Sequence, residues 1–329
     1  MLNSPSSDGG TKPTTLPQIQ MLLGPFSVSS VQMWLRMQKL TYSAGTREEI
    51  AKRVHDAIQK GSLTLQDVTV GLIGIEESRS KTVHLVRVSE TKHFAQKVDS
   101  QLTDLGTKLS PSRILATVQS QTPKMIYAVN TKKEFRMKWG EVQTRATFDR
   151  KKLEVVKKSI PVIFVFVLDK STGLAQLRYE PVEMAHSHMV NNVPTKQAYL
   201  NFYREKCENM TGLSFEPIDM RDRLRQILLK QPPVVVPVTI ATIAEDQQTL
   251  VYGSRSTADP RSLKDFKADM QADAQPRTFE KAPVRWQHAT TNYKLYRDLW
   301  CNIDAQEGTI RFDADCTEGE VDYVISQLV

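Results

Sequence analysis

The residues best placed to do chemistry are Glu180, Glu183, His186 and His188, which fall together in RYEPVEMAHSH. In an extended stretch, side chains two apart share a face, so His186 and His188 would point the same way and, with a carboxylate, could hold a divalent metal. No distant third ligand stands out, and H-x-H in a polar loop before Asn191-Asn192 is ordinarily surface chemistry. A restriction-type nuclease would want an acidic residue followed by Glu-x-Lys on a strand, to hold Mg²⁺ and activate water. Asp149 and Glu154 lie near Lys157 and Lys158, but Glu154-Val155-Val156 does not supply that lysine. The chain has no G-x-x-x-x-G-K-[ST] phosphate loop, no G-x-G-x-x-G turn and no G-x-S-x-G elbow, which disfavours an NTPase, a dinucleotide enzyme and an α/β-hydrolase. The residues therefore favour a non-enzymatic protein with no cofactor, and a metal-dependent nuclease using His186 and His188 is the rival reading.

Charge points to a different kind of work. The net charge of +7 is uneven: residues 1–175 hold 26 Lys and Arg against 15 Asp and Glu, net +11, and the remainder carries net −4. A polyanion-binding region leaves such an imbalance, although many basic surfaces bind nothing. The 329 residues suffice for about two domains, and 40% hydrophobic with 25% charged residues is an ordinary globular composition. The longest apolar runs, 160–168 and 234–243, are too short to span a bilayer, so no membrane association is expected. The N-terminus lacks a basic start and an apolar h-region and reads as a disordered tail over 1–18. Cys207, Cys301 and Cys316, an odd number without metal spacing, suit free thiols in a reducing compartment, so an intracellular protein of the cytoplasm, nucleoid or nucleus is expected.

The elements that must position these charges follow from periodicity. Val28, Val31, Leu35 and Gln38 step along one helical face beginning near Ser27, with Trp34 beside it. After Tyr42-Ser43-Ala44-Gly45, Thr46-Arg47-Glu48-Glu49 opens a second helix as a T-x-x-E capping box. Ile50, Val54 and Ile58 face the first helix, and Gly61 stops the run. VTVGLIGI and TVHLVRV read as a strand pair flanking the turn 76–81, and Val98, Leu102, Leu105 and Leu109 as a helix ended by Pro111. Met125–Val129, Phe135–Trp139 and Val142–Phe148 read as short strands of a sheet with one basic face. PVIFVFVLDKSTGLAQLRYE is a hairpin turning at Asp169–Gly173, with a helix following near 197–209. KLYRDLWCNIDAQEGTIRFDA has the same outline around Asp304 and Gly308, then a helix over 318–328; the shared D-x-x-x-G suggests a repeated unit but is also common turn chemistry. Gln231-Pro232-Pro233 marks a soft boundary, and 254–283 is a long polar connection.

The segment SVSSVQMWLRMQKLTYSAGTREEIAKRV resembles the SAP family of helix-turn-helix DNA-binding modules. The family's pattern is a short helix, a hydrophobic residue before a Ser- and Gly-containing turn, and a second helix opened by Thr and closed on a basic pair. Those roles fall here to Val31, Leu35, Leu40, Ser43, Gly45, Thr46, Ile50, Arg53 and Val54, over about a tenth of the chain. Trp34 and Glu48-Glu49 depart from the pattern, the latter standing where many members carry a lysine. The resemblance implies DNA binding with weak or shape-based sequence preference. On it, the unpaired amides at the start of the second helix would receive a phosphate near Thr46 and Arg47. Lys39, Ser43, Arg47, Lys52 and Arg53 would contact successive phosphates, and Arg36 would reach a groove edge.

A second candidate surface is the stretch 132–158, where Arg136, Lys138 and Arg145 alternate with Phe135, Trp139 and Phe148. Aromatics on a sheet can stack bases while cations hold the backbone, though alternation equally puts the aromatics in a core. The expected fold is α+β: a SAP-like two-helix module at 19–66, a basic α+β domain at 67–230 and a C-terminal α+β domain at 231–329, built from β-hairpins and covering helices. The expected task is that of a DNA-docking or adaptor factor, with self-association or a protein partner through the acidic C-terminal region. A protein-binding scaffold without nucleic acid is the other alternative.

Overall fold

The computed structural model describes residues 14–40, 45–78, 81–89, 92–104, 109–110, 113–116, 118–149, 154–180, 189–190, 193–194, 196–229, 235–237, 239–243, 249–253, 259–266, 278–291 and 295–329. The chain forms two compact units that divide after Ile73.

The first unit holds α1 (Leu16–Leu23), α2 (Val28–Met37), α3 (Arg47–Gln59) and most of α4 (Leu65–Ser78). It is a helical unit of four helices rather than two. α1 begins inside the stretch read as a tail, because Thr15 and Gln18 form a capping box and Pro17 stands in the first turn, where its missing N–H costs nothing. Ser27 caps α2, and Thr46 with Glu49 caps α3 as the T-x-x-E pattern requires. α4 overturns the strand assigned to VTVGLIGI. Thr64 and Asp67 exchange capping hydrogen bonds at its start, and Val68, Leu72 and Ile75 fall on one buried helical stripe. That stripe outweighs the β-branched preference for strands. Gly71 lets α4 approach Trp34 of α2 so closely that a Cβ there would overlap the indole.

The second unit is built on one large antiparallel sheet. In chain order its strands are β1 (Thr82–Val88), β2 (Lys124–Asn130), β3 (Glu134–Asp149), β4 (Glu154–Asp169), β5 (Leu174–Tyr179), β8 (Phe215–Pro217), β9 (Val235–Pro237), β10 (Thr239–Ile243), β11 (Thr249–Gly253), β12 (Thr278–Trp286), β13 (Leu299–Asp304) and β14 (Thr309–Phe312), and a separate small pair is formed by β6 (Met189–Val190) and β7 (Val193–Pro194). The order is β11-β10-β12-β13-β14-β1-β5-β4-β3-β2, with β8 on β1 and β9 on β12. The helices are α5 (Phe94–Asp104), α6 (Lys196–Thr211), α7 (Arg221–Leu229) and α8 (Glu318–Leu328). Segments on both sides of the boundary placed near 231 contribute to this sheet, since β1 pairs with β5 on one edge and with β14 on the other. The two stretches read as Phe135–Trp139 and Val142–Phe148 are one strand, β3.

β1 organises the cores. Alternation puts Val83 and Leu85 on one face, packed with α7 and α8, and Val86 and Val88 on the other, packed with α5 and α6. Two hairpin-helix units, β4-β5-α6 and β13-β14-α8, flank β1 and cover opposite faces of the sheet. Gly173 and Gly308, at φ +71° and +64°, take the left-handed conformation their hairpins need. Their carbonyls accept the Val88 and Leu85 amides of β1.

Candidate nucleic-acid interface

The sequence-derived phosphate contacts divide into three groups. Arg36, Lys39, Thr46, Arg47 and Lys52 are exposed on the helical unit, and Arg53 is half-buried. Ser43 lies outside the described residues, as do His186, His188 and Glu183; for Arg145 only the backbone, in β3, is described. Arg136 and Lys138 are 3% and 0% exposed, and this departs from the expected basic face.

At the start of α3 three backbone amides, those of Gly45, Thr46 and Glu49, already have acceptors within the protein. The Thr46 hydroxyl accepts the Glu49 amide, and Glu49 Oε2 accepts the Gly45 and Thr46 amides at 2.8 and 3.2 Å. Those two backbone bonds hold the Glu49 carboxyl below its usual pKa. An internal carboxylate therefore sits where the resemblance would place a phosphate, with Glu48 beside it. Arg47 also reaches inward, donating from Nη2 to the Phe26 carbonyl at 2.8 Å.

With Glu48 and Glu49 at that helix end, the basic surface of this unit is made by side chains elsewhere on it. An open groove of about 470 Å³ is lined by Leu35, Leu40, Arg53, Asp56, Lys60 and Ser62 among others. Arg53 and Asp56 on α3 and Lys60 at its C-cap are spaced three and four apart, so they share one stripe along the helix. At the turn after α2, Lys39 has φ +56°, the left-handed region that favours glycine. The Leu40 amide bonds to the Leu35 carbonyl and the Lys39 amide to that of Arg36, a Schellman ending. α3 ends the same way, with Ser62 on Ala57 and Gly61 on Ile58, but there the left-handed position is held by glycine.

Arg136 and Lys138 belong to an interior ion network within the sheet unit. Phe135, Met137 and Trp139 alternate to the α6 side and fill the core, so the cations between them face the other way, toward the last turn of α4 and the first turn of α8. Arg136 donates from Nη1 to Glu77 at 2.7 Å and from Nη2 to Glu318 at 2.5 Å, with Glu134 closing its remaining edge. Lys138 bonds to Glu76, to Glu77 at 3.3 Å and to the Ile114 carbonyl at 3.0 Å. Arg113 bridges Glu77 and Glu318, and Arg178 reaches Asp322 at 3.0 Å. Burial alone would raise the Glu318 pKa, but Arg136, Arg178 and Arg113 overcome it and hold the carboxyl at about 2. Asp322 moves the opposite way, raised by partial desolvation and by the neighbouring Glu318 charge against the attraction of Arg178. No local pattern marks Glu76, Glu77, Arg113, Arg178 and Glu318 as a group, since, the adjacent Glu76 and Glu77 aside, they are far apart along the chain. Only the presence of lysine and arginine on the aromatic-alternating strand marked the place.

Among the described residues no group of three or more His, Cys, Asp or Glu side chains is placed to hold a metal ion. Cys207, Cys301 and Cys316 are free and buried. Among the described residues no helix is long and apolar enough to cross a membrane. No protein-family model matches the chain, and no curated protein sequence matches it.

Proposed function

We propose that the chain binds DNA through backbone phosphates, with the cations of α2 and α3 as the principal contacts, and serves as a docking factor with shape-based or weak sequence preference. The observation that carries this reading is Lys39: an exposed cation held in a left-handed conformation that costs a non-glycine residue roughly 1–2 kcal/mol. The neighbouring helix meets the same turn requirement with Gly61, so local stability alone would favour glycine at 39 as well. A lysine there makes sense as a charge kept for use. Arg36 precedes it by one turn, and Arg53 and Lys60 line the adjoining groove.

The resemblance to SAP modules and the excess of Lys and Arg in residues 1–175 support the same reading. Phosphate contacts fix position and orientation while carrying no base information, which is why no sequence code is proposed. The three buried thiols fit a reducing, intracellular setting. For the adaptor role, exposed Trp300, stacked by Arg285 at 5.7 Å, and exposed Tyr296 are a candidate protein contact.

The test is fluorescence anisotropy of a duplex with wild-type chain and with Lys39→Glu/Arg53→Glu. Counterion release makes each lost contact worth roughly five- to sixfold at 0.15 M salt, so the pair should weaken binding about thirtyfold or more with helix content unchanged. Equal affinity would remove the helical unit from the mechanism.

A further inference from the structure

The sheet unit carries a second and larger groove, about 750 Å³, on the α8 side of β3, β4 and β5. Val167 and Leu174 lie in its floor with Arg136 and Arg178, and the C-terminal end of α8 forms one wall. Its rim is cationic: Lys132 and Lys133 in the β2–β3 turn, Lys170 in the β4–β5 turn, and Arg87 near the end of β1.

Some of these charges are already met. Arg136 is saturated by Glu77, Glu134 and Glu318, and Lys170 holds Asp99 at 2.6 Å. The Asp169 carboxylate is turned to the Ser171 amide and hydroxyl. Asp322 is engaged by Arg178. Arg87, Lys132 and Lys133 are exposed and have no acidic partner among the described residues. Arg178 is 1% exposed, yet its Nη1 has no hydrogen-bond acceptor among the described residues, and Glu318 Oε1 stands 3.6 Å away. Sealed from solvent between Glu318 and Asp322, Arg178 is a fixed part of the floor, and the accessible positive charge of the groove is that of Arg87, Lys132 and Lys133.

We propose that this groove takes phosphate groups of a nucleic-acid backbone, so that the sheet unit adds its own contacts to those of the helical unit. The inference rests on the DNA reading above and gives it a second surface. A phosphodiester offers two anionic oxygens, enough to be met by two of the exposed rim cations at once, Lys132 and Lys133 in the turn or Arg87 beside them. Apolar residues in the floor lower the local polarity and strengthen such contacts. The stretch 132–158 thus contributes through Lys132 and Lys133 in its leading turn, while Arg136 and Lys138 stay committed to carboxylates.

Two variants of the full chain test this on the same duplex. Lys132→Glu/Lys133→Glu changes exposed turn residues and should reduce the slope of log K against log salt by about 1.8 units, at 0.9 per contact. Asp322→Asn keeps an acceptor for Arg178 while removing a negative charge from the groove, and should tighten binding two- to fivefold, a gain that misfolding cannot produce. Wild-type binding that falls with Lys39→Glu/Arg53→Glu but is untouched by both groove variants would overturn the groove and leave the helical reading standing. Absence of wild-type DNA binding would overturn both. A groove-dependent affinity for poly-glutamate, with DNA affinity indifferent to the groove variants, would assign the groove to an acidic protein and overturn the proposal.

Discussion

Replacing Glu77 by Gln should unfold the sheet unit at markedly lower denaturant. Glu77 is fully buried; Oε1 accepts from the Tyr127 hydroxyl at 2.5 Å and from Lys138 at 3.3 Å, and Oε2 from Arg113 at 2.6 Å and Arg136 at 2.7 Å. Burial by itself would raise its pKa, but Lys138, Arg113 and Arg136 together keep it below the ordinary value. The isosteric amide fills the same space and removes one negative charge from among three cations. Breaking a buried pair by deleting one partner costs about 3–5 kcal/mol, because the charges left behind are not rehydrated. Urea unfolding followed by tryptophan fluorescence reads the change, since Trp139 and Trp286 are both buried in this unit. At a slope of about 2–3 kcal/mol/M the midpoint should fall by about 1–2 M. A loss under about 1 kcal/mol, the range of exposed ion pairs, would refute the claim that these charges hold the sheet to α8 and the end of α4.

Glu318, held at about 2 against an ordinary 4.5, has a depressed pKa, so its contribution is complete above pH 4.5 and is lost as pH falls toward 2. Its size is on the order of 3 kcal/mol. Urea midpoints measured across that window should fall, and Glu318→Gln should flatten the decline; an equally steep decline in the variant would contradict the assignment. Gly71→Ala should destabilise the helical unit by about 1–3 kcal/mol through overlap with the Trp34 indole, visible as a lower melting temperature. Lys39→Gly should raise the stability of that unit by about 0.5–1 kcal/mol while weakening DNA binding, whereas Lys39→Ala should show the second effect without the first.

Local signals carried well from sequence to structure. The Ser27 and Thr46 caps, the Asp169–Gly173 turn, the helix after it and the C-terminal helix at 318–328 each depend on a few adjacent residues, and each is where its residues place it. α1 was hidden because Pro17 and its Ser- and Thr-rich approach also describe a tail, and VTVGLIGI because its β-branched residues suit a strand as well as a buried helix. The largest departure concerns Arg136 and Lys138. Their alternation with aromatics was legible, but their partners are not local: Glu76 is 62 residues from Lys138, and Glu318 is 182 from Arg136. A cation's burial depends on such distant carboxylates, which no periodicity reveals. The α3 capping box is legible in the sequence, and its chemistry limits the phosphate site at the same helix end, because Glu49 places a carboxylate on the Gly45 and Thr46 amides.

The central claim is that this chain holds DNA by its phosphates, and the dependence of duplex affinity on salt for the full wild-type chain tests it most directly. Contacts from Arg36, Lys39, Arg53 and Lys60 predict that log K falls linearly with log salt at a slope of about −3.6, and more steeply if the sheet groove also engages. A slope near zero, or no measurable duplex binding at low salt, would contradict it.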